Sequence, residues 1–134
     1  PSGHATESFA VAQVFSALQA GGAVDPLAEV SARSPAMRLA ARIATNRTIA
    51  GVHYPSDSMA GAVLGLGVGE MVVNWLSGAA QTPVRQFNGT GYLDDFTLET
   101  LEGLLPSAGT VTFVDPPPPV LSNLWQVAKD EWVR

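Results

Sequence analysis

The sequence predicts an all-α fold, a helical bundle with an irregular tail, and three observations predict it. Apolar residues recur at helical spacing in the long segments of the first 78 residues. Proline, serine and glycine punctuate those segments where helices start and stop. Strand-type alternation is confined to one short run, GTVTFVD, near the C-terminus.

The first helix is expected over residues 4–20. Val11, Val14, Phe15 and Leu18 follow the i, i+3, i+4, i+7 pattern of a core-facing stripe, and Gly21-Gly22 ends the segment. Residues 23–34 read as a connection. A second helix is expected over residues 35–49, with Pro35 in the first turn, where its missing N–H costs nothing. The segment AGVHYPSD breaks it, and a third helix starts near Ser56, a possible cap, and runs to Leu76. Gly61, Gly65 and Gly69 lie on one stripe of this helix. Interior glycine costs about 1 kcal/mol against alanine, so such a stripe implies that another backbone packs very close. Membrane helices use the same stripe, but the uncharged run from Met59 ends at Glu70, short of the ~20 residues a span needs. A membrane is therefore possible but a buried helix is preferred. Beyond Ser77 the composition turns to Gly, Thr, Asp and Pro. There LDDFTLETLEGLL predicts a short helix, Pro116 to Pro119 a stiff spacer, and Leu121, Leu124, Trp125, Ala128 and Trp132 a last amphipathic helix. This division sets a catalytic bundle at 1–78 and a peripheral tail at 79–134.

Composition narrows the function. With 134 residues the chain is one domain by size. Only 14% of residues are charged against 46% hydrophobic, which implies surface covered by a partner or by more of the same protein. A net charge of -5 is not the footprint of a nucleic-acid binder. The absence of cysteine excludes disulfides, thiolate metal sites and a cysteine nucleophile.

Three short segments carry chemistry. In the second helix Arg38 and Arg42 share a polar face, whereas Arg47 falls roughly 180° away, beside Ala36, Ala40 and Ile43. A guanidinium on an apolar face needs an anion, from a carboxylate or from a ligand. In GVHYPSD, His53 and Asp57 are four apart, and a carboxylate on one imidazole nitrogen fixes the tautomer and leaves the other free to attack or ligate. In PSGH, Ser2 and Gly3 stand at a helix mouth, where they serve either as a simple cap or as donors to an anion, and His4 adds a group that titrates near neutrality.

Taken together, PSGH and, about fifty residues later, RTIAGVHYPSD resemble the superfamily of type 2 phosphatidic acid phosphatases, bacterial nonspecific acid phosphatases and vanadium-dependent haloperoxidases. The resemblance covers residues 1 to about 78. It implies an all-helical bundle of that type, represented by its C-terminal half, and phosphomonoester hydrolysis through a phosphohistidine. By resemblance His53 is the nucleophile, Asp57 orients it, His4 protonates the leaving alcohol, and Ser2, the Gly3 amide and Arg47 hold the phosphate. The phosphatase needs no metal or other cofactor. As a haloperoxidase the chain would instead carry vanadate on His53 and oxidise halide with peroxide. A third alternative is a non-catalytic subunit that binds phosphate or a partner. Asn46 stands where the family pattern has serine. The family's earlier lysine and Arg-Pro motif has no counterpart, since the one lysine, Lys129, follows the other motifs. A further chain or an earlier segment is therefore expected to supply a lysine and an arginine. The substrate would be a small phosphate ester, and the resemblance favours a periplasmic or secreted location.

Overall fold

A computed structural model describes residues 1–132. Its elements are α1 (Gly3–Gln19), α2 (Pro26–Ser31), α3 (Pro35–Ile49), α4 (Pro55–Leu76), β1 (Gln81–Pro83), α5 (Leu98–Glu102), β2 (Thr110–Thr112) and α6 (Pro119–Trp132). The fold is all-α in class. The two short strands form one antiparallel pair, with Gln81 opposite Thr112 and Pro83 opposite Thr110.

The glycine stripe of α4 sets the geometry of the bundle. A Cβ on Gly61 would meet the Ser2 carbonyl at 2.5 Å, one on Gly65 would strike the Thr6 carbonyl, and one on Gly69 would meet the Ala10 carbonyl at 2.8 Å. The backbone that approaches is therefore that of α1. Partner residues advance along α1 as the glycines advance along α4, so the two helices run parallel and both N-termini lie at one end. Helix α3 returns antiparallel, because its late residues Ala44 and Thr48 meet Ser58 in the first turn of α4.

The expected stripe of α1 is corrected by this packing. Its buried residues are Ala5, Phe9, Ala12, Gln13, Ser16 and Ala17, whereas Val11 is 68% exposed. Contact of the α1 backbone with the glycine face at Ser2, Thr6 and Ala10 turns Val11 away from α4, and Phe15 meets Trp132 edge-on at 5.0 Å. Val14 and Leu18 pack only in a second, smaller cluster with Ala17, Val73 and Trp125. The main core lies on the other side of α1, where Phe9 is fully buried and meets Phe96 edge-on at 6.0 Å. Met37, Met59, Leu66, Leu101 and Leu105 complete it.

Two further expectations change. Residues 23–34 are not merely a connection, because Asp25 caps α2 by accepting the Leu27 amide and Pro26 opens that helix. Helix α4 begins at Pro55 rather than at a Ser56 cap, and the Asp57 carboxylate takes the Tyr54 amide instead. Among the α6 residues expected to face the core, Trp125 is buried but Leu121, Leu124 and Trp132 are exposed. The tail is fastened to the bundle by Phe96, Leu101 and Leu105 in the main core and by polar ties. Arg85 donates to Glu70, Asp25 and the Leu105 carbonyl, and the Trp75 indole donates to the Asp115 carbonyl at 2.8 Å.

By length and composition α4 could cross a membrane, and half of its apolar window is buried inside the bundle. Glu70 sits within it, 8% exposed in its side chain and paired with Arg85 at 2.9 Å.

Candidate active site

The start of α1 and the start of α4 are joined by one backbone hydrogen bond, from the Ser2 amide to the Asp57 carbonyl at 2.8 Å. It brings PSGH, which ends at His4, and HYPSD, which begins at His53, side by side. Gly61 makes the approach possible, since any side chain there would collide with Ser2.

Ser2 is fully buried and caps α1, its hydroxyl accepting the Ala5 amide at 3.4 Å and its carbonyl the Thr6 amide at 3.0 Å. Of the four unpaired amides at a helix start, those of Gly3 and His4 then remain at the mouth. The positive ends of two parallel helices, 17 and 22 residues long, thus point the same way, and each favours negative charge.

His53 lies in the loop between α3 and α4. Gly51, at φ +70°, makes the reversal that delivers it. The loop is closed by the Gly51 amide on the Thr48 carbonyl and the Val52 amide on the Arg47 carbonyl. The His53 Nδ1 is 3.5 Å from the Asp57 carboxylate, a contact that leaves Nε2 facing away from Asp57. The amide of Tyr54 holds the Asp57 carboxyl below the ordinary carboxylate range against the opposing effect of burial, and His53 assists.

Arg47 occupies the last turn of α3, on the side of the helix that carries Ala40 and Ile43. Its Nε is buried and has no hydrogen-bond partner among the described residues, and the guanidinium makes no ion pair among them. Arg38 and Arg42 on the same helix are exposed. A buried donor without an acceptor costs about 1–3 kcal/mol, more when charged, so the position is stable only if an anion or water completes it.

His4 is exposed and lines one end of a groove of about 650 Å³ between α1 and α3. The walls near it carry Glu7 and Ser8, and the far end is apolar, with Val11, Phe15, Leu39 and Ile43. His53 is not among the walls of this groove, so the two histidines share an end of the bundle rather than one enclosed cavity. No cluster of His, Asp or Glu suited to a metal ion occurs among the described residues. The sequence motifs contain Ser2, Gly3, His4, Arg47, His53 and Asp57. The part of the site that they conceal is the Asp57 side chain as helix cap, for which the signal was its position three residues after Tyr54, the place of the acid in a capping box.

A family profile described as the PAP2 superfamily matches residues 1–80, which include both motifs and all four bundle helices. No curated protein and no solved structure matches the chain.

Proposed function

The chain belongs to the PAP2 superfamily, whose activity is in general of the phosphatase type, and from that membership and the geometry of the site we propose that it hydrolyses phosphomonoesters through a phosphohistidine intermediate. The observation that carries the proposal is the Ser2–Asp57 backbone bond, because it sets an anion-binding helix mouth beside a carboxylate-oriented histidine.

The steps follow from these residues. The phosphate sits at the Gly3 and His4 amides with Ser2 and Arg47 as further donors. The Nε2 of His53 attacks phosphorus while Asp57 steadies the imidazolium that forms through Nδ1. The P–O bond to the alcohol breaks, and His4 gives its proton to the leaving oxygen. Water then attacks the phosphohistidine, His4 takes the water's proton, and phosphate leaves. Most of the rate enhancement comes from position and charge stabilisation, as expected for phosphoryl transfer, with general acid–base help of about 10²–10⁴-fold.

The proposal includes a second source of cations. One orphaned arginine is a small charge complement for a phosphate dianion, and the open α1–α3 groove with exposed Val11 and Leu39 is a surface on which a further helical segment, bringing a lysine and an arginine, would pack. The same limit bears on vanadate. His53 and the helix mouth would suit its geometry, but retention through many turnovers asks for more cations than Arg47. The test is made on one preparation of the full-length protein. Hydrolysis of an aryl phosphate without added vanadate, inhibited competitively by vanadate, is the expected result. Vanadate-dependent bromination without phosphate release would overturn it in favour of a haloperoxidase, and neither activity would favour a binding subunit.

A further inference from the structure

The chain has four asparagines, Asn46, Asn74, Asn88 and Asn123. Asn46, Asn74 and Asn123 lie inside α3, α4 and α6, where the amide of the next residue is spent on a helical hydrogen bond. Asn88 is followed by Gly89 and stands in the irregular connection between β1 and α5. There the rings of Phe87 and Tyr92 meet edge-on at 5.4 Å and close off a tip, residues 88–91, that is exposed throughout. Within the tip the Thr90 amide donates to the Asn88 Oδ1 at 3.0 Å, and the Tyr92 amide donates to the Gly89 carbonyl at 3.2 Å. The Gly89 amide and the Asn88 Nδ2 donate to no acceptor among the described residues.

From this we infer that Asn88 is a site of spontaneous covalent modification, at which the Gly89 amide nitrogen closes on the side-chain amide and asparagine is converted to isoaspartate and aspartate. The bond from Thr90 folds the Asn88 side chain back over the Gly89 peptide. It also sets a backbone N–H on the oxygen where negative charge develops during the attack. Gly89 brings no Cβ to obstruct the ring that forms. In the first step hydroxide takes the Gly89 amide proton, the nitrogen bonds to the Asn88 Cγ, the bond from Cγ to Nδ2 breaks, and ammonia leaves with a proton from water. Water then opens the cyclic imide at either carbonyl, which gives aspartate or isoaspartate. Both products carry a new carboxylate. Isoaspartate also adds one carbon to the backbone between Phe87 and Tyr92, so the ring pair must part. Both rings pack against the main core, and the same connection carries Arg85, the partner of Glu70, and Phe96, which meets Phe9. Conversion of Asn88 therefore loosens the seat of the tail as the protein ages, whether or not the site at the other end of the sequence motifs is catalytic.

The experiment is incubation of the full-length protein at neutral pH, folded and in parallel in urea, followed by peptide mapping by mass spectrometry and by labelling with an isoaspartate methyltransferase. A one-dalton gain is expected at position 88 of the folded protein. It should appear at least about fivefold faster than at Asn46, Asn74 or Asn123, where a helical hydrogen bond must open first. Asn88→Gln should show no gain at that position, because its longer side chain closes a larger ring far more slowly. Asn88→Asp carries the new charge without the longer backbone and should melt like the fresh protein, whereas the fraction converted to isoaspartate should melt lower and be cut sooner by protease within residues 84–97. No gain in the folded protein, a gain confined to the urea sample, or a rate no greater than that of the helical asparagines would overturn the inference. So would an isoaspartate form that melts and resists protease like the fresh protein, because the tip would then bear no load.

Discussion

Two arginines with restricted access to solvent stand at opposite ends of the bundle in opposite circumstances. Arg85 is 6% exposed in its side chain and gives its donors to Glu70, Asp25 and the Leu105 carbonyl. Arg47 has a buried Nε that reaches no acceptor among the described residues. Burial works against the charge of Arg85, but Glu70 and Asp25 outweigh it and raise its pKa, so it is a permanent cation in a completed ion pair. The difference teaches that one cation is satisfied by the fold and the other is left for something that the fold does not contain. On the proposed function the paired end serves stability and the unpaired end binding.

Substitutions should separate the two roles. The largest effect is expected at the unpaired end, where Arg47→Ala should lower kcat/KM for an aryl phosphate by about 10²–10³-fold, the usual worth of a donor to a developing oxyanion. Its melting temperature should change little, since no side-chain hydrogen bond or ion pair of Arg47 among the described residues is lost. A large loss of stability with activity retained would reverse the assignment. At the paired end, Arg85→Met should destabilise the protein by about 3–5 kcal/mol, because it strands the buried Glu70 carboxylate. Arg85→Met/Glu70→Met should restore most of that loss, which denaturant melts would show. A double variant no better than the single would mean that the ties to Asp25 and Leu105 dominate.

The contact that brings the two helix starts together can be probed in the same way. Gly65→Ala forces a methyl against the Thr6 carbonyl and should cost about 1–3 kcal/mol. Gly67→Ala faces only the Arg85 side chain at 3.6 Å and should be neutral or stabilise by up to about 1 kcal/mol, the helix preference for alanine. Equal effects in chemical melts would argue against close α1–α4 packing. The smallest effect is a pH dependence. The Asp57 pKa is lowered by the Tyr54 amide, so its contribution is present above the ordinary carboxylate range and is lost as pH falls through the depressed value. Asp57→Asn should remove that part of the acid destabilisation that sets in below the ordinary carboxylate range, and an unchanged pH–stability curve would deny the cap.

Much of the candidate site was legible because its residues fall in short motifs. Ser2, Gly3, His4, Arg47, His53 and Asp57 are all named by PSGH and RTIAGVHYPSD, and α3 starts and ends where Pro35 and AGVHYPSD place it. The glycine stripe announced a close backbone but not its owner, since a parallel α1–α4 pair is a tertiary fact. For the same reason the face of α1 was misjudged. The apolar period fits Val11, Val14, Phe15 and Leu18, yet the glycine stripe is met by the backbone of Ser2, Thr6 and Ala10 with Ala5, Phe9 and Gln13 beside it, and that backbone contact decided the face. Helix α2 was hidden by its length of six residues, although Asp25-Pro26 is a start signal. The pairing of Arg85 with Glu70 spans 15 residues and had no local pattern to reveal it.

The central claim, that Arg47 is kept unpaired for an oxyanion, is tested most directly by titrating the full-length protein calorimetrically with orthovanadate. Arg38→Gln, an exposed arginine on the same helix, serves as the comparison. The account predicts one vanadate per chain in the unaltered protein, at least about tenfold weaker binding in Arg47→Gln, as for loss of a charged hydrogen bond, and unchanged binding in Arg38→Gln. Equal affinity in all three proteins, or equal loss from either substitution, would contradict it.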